Sequence, residues 1–135
     1  MISAKPGKDI RVTRENFDEV MAFCGKCKYE DTVLSDDKYP TKKVIKYMKS
    51  LYYTDWREAV YLTMLAFIYS GYGTGWVGSP DKEKDKIEVT FVTGGWSGNE
   101  EILDVLTHIP NFYPLYYNRL ERGGLFSFVF YKEAK

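Results

Sequence analysis

Histidine is almost missing from this chain: His108 is the only one in 135 residues. An acid–base or nucleophilic site built on imidazole therefore has a single candidate, and it stands near a helix end beside Pro110 with no evident partner. Cysteine is scarce as well. Cys24 and Cys27 are too few for a disulfide scaffold and suit a reducing compartment. Their C-x-x-C spacing is that of half a zinc site or of a redox pair. A closed zinc site needs four ligands, and His108 is the only other soft one, so no metal is expected. A thioredoxin-like pair should open a helix, whereas this one follows helical periodicity. No other cofactor is expected either. Net charge is also absent, because nineteen basic side chains face nineteen acidic ones. There is no global field to hold a nucleic-acid backbone or an anionic membrane. Finally, no apolar run reaches the roughly 20 residues needed to span a bilayer, and no apolar signal segment opens the chain. A cytoplasmic protein with no membrane partner is the expectation.

What the chain has in quantity is aromatic side chains, 17% of residues with twelve Tyr. Such a content serves a core with wet edges, and equally a protein-binding or base-stacking face. The length allows one domain over residues 1–135 with a real core, residues 1–8 being a loose terminus.

The most specific stretch is IEVTFVTGGWSGNEEILDVL, Ile87 to Leu106. Ile87, Val89, Phe91 and Thr93 alternate with Glu88, Thr90 and Val92, as in a strand with one face buried and the other partly wet. Gly94, Gly95 and Gly98 then permit a tight turn. Ser97 or Asn99 can cap a helix, and Ser97 with Glu100 has the spacing of a capping box. Ile102, Leu103, Val105, Leu106 and Ile109 form that helix's apolar stripe, which Pro110 ends.

Elsewhere the pattern predicts a short edge strand over Asp9 to Val12 and a short helix from Asn16 to Gly25. Lys28 to Pro40 reads as a loop. Thr41 opens an amphipathic helix with Val44, Ile45, Met48 and Leu51 inward and Lys42, Lys43, Lys46 and Lys49 outward. Those four lysines are the local patch through which nucleic acid is conceivable. Asp55 with Glu58 suggests another capping box, opening a central apolar helix from Trp56 to Tyr69 that stops at Gly71. Tyr72 to Gly78 and Ile87 to Thr93 read as a hairpin whose tip is the charged run from Ser79 to Lys86. Asn111 or Pro114 opens a further short helix with Phe112, Tyr117 and Leu120, and Leu125 to Tyr131 closes the chain as a strand. The expected fold class is α+β, three or four helices packed on a small, mainly antiparallel sheet.

TGGWSGNE (Thr93 to Glu100) together with RGG (Arg122 to Gly124) resembles the C-terminal pattern of small phage- and prophage-encoded proteins of unknown function. The pattern runs strand, TGGWSGNE, helix, aromatic segment, RGG, strand, and covers roughly the last third of this chain. Where those relatives often carry an aromatic residue or His after RGG, this chain has Leu125. The resemblance implies a phage context and no particular activity.

The candidate ligand-binding set is Gly94, Gly95, Trp96, Ser97, Gly98 and Asn99, whose backbone and helix N-terminus would accept an anion or nucleotide, closed over by Arg119 or Arg122. Trp76 or Trp96 would stack a base. The glycines match neither a P-loop nor a dinucleotide fingerprint. Ser97 lacks the spacing of a nucleophile elbow, so no catalytic residue is assigned. A small anionic ligand is one expected partner. The alternatives are a host protein, the chain then inhibiting a defence or transcription enzyme through its Tyr-rich surface, or an unrecognised enzyme.

Overall fold

A central hairpin and a third long strand make the sheet on which everything else packs. In the computed structural model, residues 10–78, 86–112, 117–121 and 124–131 are described. The strands are β1 (Ile10–Arg11), β2 (Thr74–Gly78), β3 (Lys86–Val92), β4 (Tyr117–Glu121) and β5 (Leu125–Tyr131). Their order across the sheet is β1-β2-β3-β5-β4, and each neighbouring pair is antiparallel. The helices are α1 (Phe17–Val20, continued as a 3-10 turn over Met21–Cys24), α2 (Lys42–Lys49), α3 (Trp56–Ser70) and α4 (Ser97–Thr107). The fold class is α+β, as the sequence pattern predicts.

Register decides which side chains of β3 and β5 meet the helices. Ile87, Val89 and Phe91 pair with Phe130, Phe128 and Phe126. Opposite residues of an antiparallel pair project to one side, so these six share a face. Against it, the Trp56 ring stacks on Phe130 at 4.1 Å and Phe67 of α3 meets Phe91 at 5.2 Å. Phe112 touches Phe128 and Phe130. The buried side chains of α2, α3, α4 and the sheet belong to one cluster. Val44 and Met48 of α2 are buried while Lys42, Lys43, Lys46 and Lys49 are exposed, and Thr41 Oγ1 caps that helix by accepting from Val44 N–H at 3.1 Å. None of the described helices is long and apolar enough to cross a membrane.

Several expectations are corrected. Tyr117–Glu121 is a strand, not part of a helix, because it pairs with β5 from Tyr117↔Phe128 to Glu121↔Leu125. Tertiary pairing here overrides the local apolar spacing. Neither predicted capping box forms at α3 or α4, and Asp55 belongs instead to a capping box with Tyr52 in the 3-10 turn before α3. Asp55 Oδ2 accepts from the backbone N–H of Tyr52 at 3.2 Å rather than from α3. Glu58 Oε2 instead reaches the Cys27–Tyr29 loop and Tyr47. Asn16 stands before α1 without capping it; its Oδ1 accepts from Thr13 N–H at 2.7 Å and its amide donates to Arg11 O at 2.9 Å. β3 has no wet face. Glu88 and Thr90 are only 6% and 2% exposed, and Glu88 is met by the hydroxyl of Ser127 from β5. The expected hairpin does form between β2 and β3; its tip, residues 79–85, lies outside the described residues, as do residues 1–9.

Candidate functional site

Two consecutive glycines with left-handed backbone turn the chain from β3 into α4. Gly94 has φ 68° and Gly95 φ 76°, a region an L side chain enters only at a cost. The two positions differ in surroundings. A Cβ on Gly94 would run into the carbonyl oxygen of Tyr72, whereas one on Gly95 would meet nothing within 4 Å. Thr93, buried at the end of the strand, organises the turn: its Oγ1 accepts from Gly95 N–H at 3.3 Å and its carbonyl accepts from Trp96 N–H at 3.3 Å.

Asn99 pins this turn to the rest of the protein. It is 1% exposed; its amide donates to Thr93 O at 3.1 Å, and its Oδ1 accepts from Ser70 Oγ at 3.3 Å. Ser70 Oγ in turn accepts from Tyr72 N–H at 3.2 Å. A buried amide with both ends occupied is structural. Asn99 is therefore not available to a ligand, although the sequence set included it. Ser97 is not the cap of α4 either. The residue before the helix is Trp96, without a side-chain cap, and Ser97 Oγ lies 2.6 Å from the Tyr39 hydroxyl. The capping box with Glu100 fails because Ser97 is already inside the helix.

Trp96 is the centre of an aromatic cluster drawn from three places in the chain. Its ring packs on Tyr39 at 4.8 Å and on Tyr72 at 4.7 Å, and its indole N–H donates to Lys38 O at 3.3 Å. Gly98 lies beneath, where a Cβ would come within 2.6 Å of the indole nitrogen. Tyr72 is 55% exposed and Tyr39 and Trp96 are half-buried. Tyr39 and Tyr72 were outside the sequence set. Their separation from Trp96 along the chain left no local pattern that would have found them.

The antiparallel pairing of β3 with β5 brings the start of β5 to the same corner. Gly124 O accepts from Thr93 N–H at 3.2 Å, and the Cα of Gly124 leaves no room for a side chain against Thr93 Oγ1. Arg119 occupies a register position opposite Ser127, two pairs from that end of the ladder. Arg122 lies outside the described residues. Beside this junction is a cavity of about 300 Å³ whose lining includes Thr93, Glu100, Leu103, Asp104 and Phe126. Its two carboxylates make it a poor place for an anion.

The remaining chemical candidates are engaged elsewhere. His108 is exposed, with Nδ1 2.7 Å from Asp104 O at the end of its own helix. Cys24 and Cys27 are free thiols. Burial pushes the Cys27 thiol up to about 12, reinforced by its hydrogen bond to Glu58, and burial raises Cys24 as well. Such thiols are protonated near neutral pH and poor nucleophiles. Among the described residues no group of three His, Cys, Asp or Glu side chains is placed to hold a metal ion. Lys43 pairs with Asp31 at 3.4 Å, and Lys42, Lys46 and Lys49 border a shallow cavity of about 290 Å³ shared with Glu101. Trp76 sits on β2 opposite Thr90, two pairs from the turn end of the ladder and in the same cross-strand row as Ser127 and Arg119. Compared with known protein families, with curated proteins and with solved structures, the chain matches none.

Proposed function

We propose that this is a small phage-type accessory protein that works in the host cytoplasm by binding rather than catalysis, through the corner built on Gly94 to Asn99. The observation that carries this reading is the cluster of Trp96, Tyr39 and Tyr72 on that turn. Large aromatic side chains with few rotatable bonds, partly exposed and fixed from behind, are the anchors that protein interfaces use. Asn99 and Thr93 supply the fixing from behind. The partner is accordingly a host protein, with inhibition of a defence or transcription enzyme as the activity such a surface serves.

A small anionic ligand is the second reading. It is favoured by the N-terminus of α4, which has no side-chain cap; the counter-charge expected from the sequence is Arg119 or Arg122. Glu100 and Asp104 in the adjoining cavity weigh against it. Catalysis has less support, since His108 and the two thiols are engaged as described. The test is native mass spectrometry of the untagged protein purified from producing cells, beside Tyr72→Ser and Arg122→Ala variants. A host protein retained by the parent and lost from Tyr72→Ser, at unchanged melting temperature, supports the protein-binding corner. A nucleotide retained by the parent and lost from Arg122→Ala supports the anion. A partner that survives Tyr72→Ser refutes the corner.

A further inference from the structure

A cavity of about 570 Å³ forms a groove next to that corner, and Lys38 belongs to both. Arg14 stands in its wall. The guanidinium lies 4.7 Å above the centre of the Tyr69 ring, and its Nη2 donates to Tyr69 O at 3.0 Å. That carbonyl belongs to the last turn of α3, where backbone acceptors lack helical partners and a cation is favoured. Tyr69 is itself backed by Phe17, which meets it edge-on at 6.1 Å. Arg14 is thus held in one orientation while most of its five N–H donors remain unspent. Among the described residues no carboxylate lies within ion-pair distance of it.

The rest of the groove narrows what Arg14 can receive. Leu34 and Leu65 line it with half-buried apolar surface. Asp31 is paired with Lys43 at 3.4 Å. Asp36 carries a further negative charge into the lining, which disfavours a polyanion while leaving room for one carboxylate at Arg14. Ser35, Asp36 and Lys38 of the lining belong to a turn closed by Ser35 N–H to Tyr39 O at 2.8 Å and Lys38 N–H to Ser35 O at 3.0 Å.

We infer that this groove takes an extended peptide segment of a partner protein, with one Asp or Glu side chain on Arg14 and a neighbouring apolar side chain against Leu34 and Leu65. The inference rests on the protein-binding reading above and gives that partner its chemistry. The probe is a short capped peptide with one glutamate flanked by leucines, titrated into the isotope-labelled full chain and followed by amide chemical shifts. Its glutamine counterpart is the control. The glutamate peptide should move Arg14, Leu34, Lys38, Leu65 and Tyr69, and the glutamine peptide should bind about threefold to fivefold more weakly, the scale of an exposed ion pair. Arg14→Gln should erase that difference while lowering the melting temperature by only a few degrees, the scale of one exposed cation–π contact and helix-end charge, and Arg14→Lys should keep part of it.

Equal binding of the two peptides, undiminished binding by Arg14→Gln, or shifts confined to other surfaces would overturn the proposal. So would the absence of any shift at millimolar peptide, or displacement of the peptide by inorganic phosphate. The two readings fail separately. A cellular partner lost from Tyr72→Ser but kept by Arg14→Gln overturns the groove and leaves the corner standing. Glutamate-selective peptide binding at Arg14, with a partner indifferent to Tyr72→Ser, does the reverse.

Discussion

Alanine at Gly94 and alanine at Gly95 should differ sharply although the residues are adjacent and share a backbone region. Both have positive φ, 68° and 76°. At Gly95 the added Cβ would meet open space, so the cost is the left-handed conformation alone, about 1 kcal/mol. For a chain of this length that lowers the melting temperature by roughly 3–5 °C. At Gly94 the same conformational cost applies, and the Cβ also falls well inside 3.0 Å of the Tyr72 carbonyl oxygen. Backbone cannot swing away as a side chain can, so either the turn or the segment after α3 must move. Adding an overpacking cost of 1–3 kcal/mol brings the total to about 3 kcal/mol. Urea denaturation of the parent and both variants, followed by tyrosine and tryptophan fluorescence, measures the two differences. A Gly94→Ala variant as stable as Gly95→Ala would refute the reasoning, because it would mean that the turn does not rest on Tyr72.

Other expectations are as specific. Glu58 Oε2 faces Lys28 N–H at 2.6 Å, Tyr29 N–H at 3.1 Å, Tyr47 Oη–H at 2.8 Å and Cys27 Sγ–H at 3.2 Å; Glu58→Ala should therefore cost about 3 kcal/mol by denaturation, and Glu58→Gln less, since an amide oxygen still accepts. Cys27 keeps its proton to about pH 12 when folded, against an ordinary value of 9.0. A raised pKa stabilises the fold below the unfolded value and loses that stabilisation as pH rises, so stability should decline between about pH 9 and 12. Thiol titration at pH 8 should show both cysteines slow in the native protein and fast in denaturant. Thr90 Oγ1 is buried and has no hydrogen-bond partner among the described residues, so Thr90→Val should raise stability by about 1 kcal/mol; a loss of that size would mean that the hydroxyl is bonded.

The parts legible in the sequence were those set by short-range pattern. The lysine side of α2 and its Thr41 cap follow from periodicity and one N-cap residue. The stop of α3 at Gly71, with φ 80°, follows from the residue that best tolerates that conformation. The β3 turn into α4 was visible in its glycines, and its meeting with Gly124 required only that β3 and β5 run antiparallel. What sequence did not disclose depends on contacts between distant segments. Tyr117–Glu121 has helical apolar spacing, yet the partner that makes it a strand, β5, follows only after Gly124. Asp55 and Glu58 have capping spacing, yet the loop at Cys27–Tyr29 offers Glu58 more donors than a helix terminus does. Asn99 read as a surface ligand group in a polar turn, and only the approach of Ser70 shows it to be a buried pin. Tyr39 and Tyr72 reach Trp96 from separate segments, and the groove at Arg14 is assembled from β1's exit, the loop before α2 and the end of α3.

The central claim is that binding occurs on the aromatic corner around Trp96. Hydrogen-exchange mass spectrometry of the protein alone and of its complex with the co-purifying partner tests it most directly. Protection should concentrate at residues 35–39, 70–73 and 94–99. Protection confined to the lysine face of α2, with exchange at the turn unchanged, would contradict the account.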